Sequence, residues 1–299
     1  MGNGFKRLYQ DRHPFMFIGP AVLILLVFSI VPIFVAFVIS FTDLDLKGLA
    51  NWSNINYIGL ENYKELFTDE VFHKSIYNTL FYAIIGVPLV IVCSLGIALL
   101  LNYGSNLLFR FFRGVYYMPS ITNIIAVAVI WGYLYNTEYG LFNYILSLLE
   151  ADKIPWLEEP TIAKLSLIVL AVWKGIGINM IIFLAALQGI PHSYYEAAKI
   201  DGANRFQMLF QITIPLLRYA TFFVTITTLI GWLQFFEEPF VMTQGGPLNG
   251  TISMALFIYQ EGFQFSEFGY AAAGSFILFV FIIVVTLVQF KIRKSDTEY

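Results

Sequence analysis

Apolar residues recur along this chain in six long runs, separated by polar, turn-rich segments. The runs cover roughly residues 15–41, 78–101, 115–135, 163–187, 219–242 and 270–290. Each is long enough to cross a hydrocarbon layer of about 30 Å as a helix, which takes about 20 apolar residues. A helix satisfies its own backbone hydrogen bonds in lipid. The two-residue alternation of a membrane β-barrel is missing. The pattern therefore predicts an all-α integral membrane protein with six transmembrane helices. Pro20, Pro32, Pro88 and Pro119 fall in or beside these runs, a placement that membrane helices tolerate because neighbours re-satisfy freed carbonyls.

Composition agrees with the pattern. Of 299 residues, 58% are hydrophobic and 12% charged, which suits one membrane domain better than two soluble ones. Lys6, Arg7 and Arg12 precede a first run longer than a signal-peptide core, so that run reads as a retained span. Cys93 is the single cysteine and His13, His73 and His192 are scattered. Neither a disulfide nor a metal-ligand spacing emerges, and a membrane enzyme would need a tighter cluster of reactive groups.

The distribution of Lys and Arg sets orientation. With the N-terminus inside, the inner segments hold Lys6, Arg7, Arg12, Arg110, Arg113, Lys199, Arg205, Arg218, Lys291, Arg293 and Lys294. The outer segments hold only Lys47, Lys64, Lys74 and Lys153, and Lys164 and Lys174 complete the 17 within the fourth run. That asymmetry puts both termini in the cytoplasm. The polar segment YYEAAKIDGANRFQMLFQITIPLL, 194–217, then also faces inward.

Within this inner segment, Pro191 suits a first helical turn and Ser193 with Glu196 matches a capping box. A short helix is expected to end near Ile200. Asp201-Gly202-Ala203-Asn204 supplies turn chemistry. A second amphipathic stretch through Phe206, Leu209, Phe210 and Thr213 follows, and Ile214-Pro215 is expected to end it. A connector resting on headgroups would look similar.

EAAKIDGA followed by Phe210 and ITIPLL resembles the EAA loop of binding-protein-dependent ABC importer permeases. Further segments resemble the carbohydrate-uptake branch of that family: IGLENYKELF at 58–67, NTLFYAIIGVPL at 78–89, LFNYIL at 141–146, IPWL at 154–157, LAALQGIP at 184–191, TQGGPLNGT at 243–251 and FGYAAAGSFILF at 268–279. The last two are similar to the maltose-type or glycerol-phosphate-type first permease. The resemblance implies type I importer architecture in a bacterial cell membrane. It implies a cytoplasmic N-terminal segment at 1–14, a permease domain at 15–290 with its coupling loop at 188–218, and a cytoplasmic tail at 291–299. The implied partners are a second permease subunit, two cytoplasmic ATPase subunits, an extracytoplasmic solute-binding protein, membrane lipid and a sugar or oligosaccharide, with no nucleic acid. By this resemblance Glu196, Ala197, Ala198, Asp201, Gly202, Ala203 and Arg205 couple to the ATPase.

No G-x-x-x-x-G-K-[ST] occurs, and a G-x-G-x-x-G begun at Gly175 fails at Met180. The chain is therefore expected to be no enzyme and to hold no cofactor, ATP and Mg binding to the partner ATPase. Polar groups inside spans are costly and point to function. Lys174 and Asn179 in the fourth run meet this criterion, although a lysine there can also snorkel or pair. In the fifth run Thr228, Trp232 and Phe235 share a helical face. The resemblance carries sugar contact to Thr228, Gly231, Trp232 and Phe235, whereas the bland alternative is packing. Glu237 and Glu238 read as a solvated outer rim. An ion-coupled secondary transporter, with Lys174, Glu237 and Glu238 as coupling groups, is the alternative function.

Overall fold

The computed structural model describes residues 12–104 and 106–295. Lys6 and Arg7 lie outside them, as do residues 1–11 of the 1–14 segment, residues 296–299 of the tail, and the side chains of Arg12, Arg293 and Lys294. The described residues form helices and turns, with a single isolated bridge between Thr42 and Tyr57. They divide into two compact units, one of the described residues up to 68 with 258–279, the other of residues 69–257 with the described residues from 280 on.

In the first unit α1 (Arg12–Leu25) and α2 (Val31–Ile39) are joined by a π-helical turn, Leu26–Ile30. Pro32 explains that turn: its ring excludes a regular i−4 bond, and a widened turn accommodates the missing donor. Beyond Ile39, Ser40 and Thr42 are tied down by α3 (Glu61–Leu66), where Asn62 donates to both of their carbonyls at 2.9 Å. Ser40 also bonds Tyr63 at 2.8 Å. Asp43 accepts from the backbone and side chain of Asn56, which holds its carboxyl below the usual range.

The second unit is built on α4 (Glu70–Asn102). It continues through α5 (Leu107–Ile121), α6 (Ile124–Leu134), α7 (Leu141–Leu148), α8 (Pro160–Gln188), α9 (His192–Ile200), α10 (Arg205–Met208), α11 (Arg218–Leu233), α12 (Glu237–Met242) and α13 (Met254–Tyr259). The last helix, α14 (Phe268–Ser295), starts in the first unit and ends in the second. Start signals are explicit. Asp69 caps α4, and Glu159 caps α8 by accepting from Thr161 and Ile162, which keeps the Glu159 carboxyl below its ordinary value. Arg113 closes the end of α4, donating to the carbonyls of Leu101 and Gly104 at 3.1 Å; a cation there also suits the helix dipole.

Among the described residues, five helical stretches are long and apolar enough to cross a membrane. The run at 115–135 departs from the expected single straight span: α5 and α6 meet at 98°. Thr122 is extended and the Asn123 side chain caps α6 through Ile125. A span capped in its middle cannot continue as one helix. The fifth run is interrupted too, since α11 stops at Leu233 and α12 restarts at Glu237.

The core of this unit lies between α4, α8 and α11, with Tyr82, Val90, Leu167 and Leu233 nearly inaccessible. The backbone of the GGPLNGT segment is strapped to α4: Asn78 donates to the carbonyls of Asn249 and Ile252, Tyr82 to that of Thr251, and Thr79 accepts from Met254. Thr251 and Ser253 are fully buried. Asn78→Ala strands the buried Ile252 carbonyl, worth about 1–3 kcal/mol when left unpaired, and removes the longer bond to the carbonyl of exposed Asn249. Thermal unfolding of the detergent-solubilised variant should show a lowered midpoint, and an unchanged midpoint would contradict the strap.

Candidate functional site

A cavity of about 780 Å³ lies among α4, α5, α8, α11 and α12. All six residues singled out in the fourth and fifth runs line it: Lys174, Asn179, Thr228, Gly231, Trp232 and Phe235. Phe235 is not on the same helix as Trp232, because α11 has ended; the chain nonetheless returns it against Trp232, with ring centroids 5.1 Å apart and planes at 11°. Tyr82 packs on Phe235 at 4.8 Å. Gly86 makes room on α4 for the Trp232 indole; a Cβ there would run into the ring. Trp232 and Phe235 thus both belong to the core and line the cavity.

Lys174 is paired, its Nζ lying 3.0 Å from Glu237 Oε2. Its side chain is 20% exposed and that of Glu237 57%, so the pair borders the open part of the cavity. Glu238 departs from the expected rim. It is 7% exposed and lines the cavity, because the break before α12 turns the chain back inward. With one lysine and two glutamates, the lining carries one formal negative charge in excess.

The backbone beside Lys174 is unusual. Ser120 Oγ of α5 donates to Lys174 O at 2.6 Å and accepts from Ile178 N–H at 3.2 Å. Those two groups face each other in an ordinary α-helical ladder. Gly177 allows the insertion, since a Cβ there would meet Ser120 and the Tyr116 carbonyl. Asn179 donates to Gly175 O at 2.9 Å, and Thr228 reaches the Asn179 carbonyl oxygen at 3.5 Å. Ser120 was not legible as a site residue, because nothing in the sequence pairs a serine of one run with the ladder of another.

The polar segment forms a second locus. The capping box expected at Ser193 and Glu196 is absent: Pro191 itself is the N-cap of α9, without a side-chain bond. Ser193 therefore lies inside the first turn, where it cannot cap. The reciprocal cap occurs downstream, between Asn204 and Gln207 at the start of α10. Gly202 has φ +78°. Its N–H reaches Lys199 O and that of Ala203 reaches Ala198 O, the double closure of a Schellman motif with glycine at C′. Nor does Ile214-Pro215 end the helical path. A π-helical turn, Leu209–Thr213, and a further turn, Ile214–Leu216, carry it to Arg218.

Glu196, Ala197, Asp201, Gly202 and Arg205 are exposed, Ala203 half-buried and Ala198 buried. Ile200 is 87% and Phe206 73% exposed. Tyr195 Oη meets Thr213 Oγ1 at 3.0 Å, joining α9 to the turn that leads into α11.

Residues 74–295 match the family described as "Binding-protein-dependent transport system inner membrane component". The chain is 37% identical to a probable ABC transporter permease protein, YesP, of Bacillus subtilis (strain 168), over 100% of this chain and 98% of that one. It is 33% identical to the lactose transport system permease protein LacF of Rhizobium radiobacter, over 96% of each. It is 32% identical to the arabinooligosaccharides transport system permease protein AraP of Bacillus subtilis (strain 168), over 98% and 93%. In fold it is similar to a chain of a bacterial alginate ABC transporter crystallised with a pentasaccharide-bound periplasmic protein, with a TM-score of 0.81, 24% identity and coverage of 99% and 98%.

Proposed function

Because the chain belongs to the family of binding-protein-dependent transport system inner membrane components, we propose that it is a permease subunit of an ATP-driven importer for a sugar or oligosaccharide. In this reading it lies in the bacterial cytoplasmic membrane and crosses it six times, the α5–α6 pair counting as one broken crossing, with both termini in the cytoplasm. Residues 15–290 are the permease domain and 188–218 its coupling loop. A second permease subunit supplies the other half of the passage and an extracytoplasmic binding protein delivers the solute. Two cytoplasmic ATPase subunits bind ATP and Mg, and this chain performs no catalysis.

One observation carries the reading: the cavity and the exposed polar segment are attached to the same two helices. α8 bears Lys174 and Asn179 in the cavity and ends at Gln188, just before α9. That is a lever of about 21 Å at 1.5 Å per residue. α11 leaves the other end of the segment and bears Thr228, Gly231 and Trp232. A push on α9 is carried to α8 directly and to α11 through the Tyr195–Thr213 contact. Glu196, Ala197, Ala198, Asp201, Gly202, Ala203 and Arg205 are then the face or frame that meets the ATPase. Lys174, Asn179, Thr228, Gly231, Trp232 and Phe235 border the solute path, where stacked aromatic rings suit the apolar face of a sugar.

The test is reconstitution. The chain is expected to co-purify with an ATPase and a solute-binding protein, and proteoliposomes with the binding protein outside should take up sugar only when ATP is present inside, on the ATPase face. Uptake driven by an ion gradient without the ATPase would contradict the proposal.

A further inference from the structure

We infer that Glu238 is the hydroxyl acceptor of the cavity and that it restricts the cavity to neutral saccharides, excluding acidic ones. This rests on the reading of the cavity as a sugar passage. Glu238 is 93% withdrawn from solvent, since only 7% of it is exposed, yet it lines the cavity. Its carboxylate bonds its own backbone N–H. The one ammonium in the lining, Lys174, is already held by Glu237 at 3.0 Å. A buried carboxylate held only by its own backbone N–H is expensive to keep, and its oxygens retain acceptor capacity.

The neighbouring surface defines what the acceptor meets. Trp232 and Phe235, stacked on each other, both border the same cavity. A saccharide ring offers an apolar C–H face to such rings and hydroxyls at its edge. Two neighbouring hydroxyls can donate to the carboxylate, one to each oxygen, as water would have done. A uronate brings a second carboxylate into a lining that already has one negative charge in excess. Like charges repel strongly where the dielectric is low, so the same group that recognises a neutral sugar rejects an acidic one.

The assembled transporter, purified in nanodiscs without binding protein, provides the test. Dicyclohexylcarbodiimide, an apolar reagent for buried carboxyl groups, is applied and labelling at Glu238 is followed by peptide mass spectrometry. Lactose, maltose and an arabinose oligosaccharide serve as neutral probes and digalacturonate as the acidic one. At least one neutral probe should slow labelling at Glu238 about threefold or more, and digalacturonate should leave it unchanged. Glu238→Gln, which keeps an acceptor oxygen and removes the charge, should bind labelled digalacturonate in equilibrium dialysis where the wild type does not. The inference is overturned if no neutral probe protects, if digalacturonate protects equally, or if Glu238→Gln still excludes it. Protection without ATP-driven uptake would sink only the transport reading. ATP-driven sugar uptake without protection would sink only this inference.

Discussion

Gly202→Asp should abolish ATP-driven uptake, by about tenfold or more, while the chain remains in the membrane at wild-type abundance. Gly202 sits at φ +78° as the C′ residue of the closure that ends α9. Nothing lies within 4 Å of a Cβ added there, so the substitution meets no clash within the chain. Its intrinsic cost is the backbone penalty of a non-glycine residue in the left-handed region, about 1–2 kcal/mol, and aspartate is among the residues that tolerate it best. That is too little to unfold a protein held by the α4, α8 and α11 core. A large loss of uptake with normal abundance therefore has to come from the docked partner, which meets a new carboxylate on a face that was open. Glu196→Lys reverses an exposed charge on the same face and should act in the same direction. The measurement is sugar uptake and ATP hydrolysis in proteoliposomes. Hydrolysis should persist while uptake is lost, and normal uptake by both variants would remove the coupling role.

Lys174→Met should lower uptake about tenfold, and adding Glu237→Gln should recover most of it. The single variant leaves Glu237 and Glu238 facing one cavity with no cation between them, and removing one partner of a shielded pair costs more than removing both. Glu237 is more than half exposed at its side chain, so solvent screens part of the effect. The coupling between the two positions is read as a double-mutant cycle on the rate of uptake. A double variant as impaired as Lys174→Met alone would show that lysine acts on the solute directly rather than by balancing Glu237.

Much of the frame was legible in the chain because hydrophobic length is a strong signal. All six apolar runs correspond to helical stretches, and α9 ends at Ile200 as its turn residues implied. The errors have local causes. Hydropathy averages over a window and cannot register one capping residue such as Asn123, so the bend between α5 and α6 was invisible. The Ser193 box matched a pattern whose geometry failed because Pro191, already extended at ψ 135°, took the cap position. Polarity inside spans and the family resemblance point to Lys174, Asn179, Thr228, Gly231, Trp232 and Phe235, which face one space. Glu238 was misread because helical extrapolation from Tyr219 runs past the break at Gln234–Phe236.

Several quoted segments turn out to be partners of each other. Asn143 of LFNYIL accepts from the backbone of Ile154 and the indole of Trp156 in IPWL, and donates to Ile154 O. Asn78 and Thr79 of NTLFY hold the backbone of 249–254. Pairings across 170 residues leave no trace in local periodicity, which is why these motifs could be listed but not joined.

In the proposed importer a separate ATPase covers a cytoplasmic face of α9. Ile200, 87% exposed at the end of that helix, offers a direct probe as Ile200→Cys in a chain whose Cys93 has been replaced by alanine. A membrane-impermeant maleimide should label it in inside-out vesicles stripped of the ATPase, fail to label it in intact cells, and lose most of its rate when the ATPase is added back. Labelling from outside the cell, or a rate indifferent to the ATPase, would contradict the account.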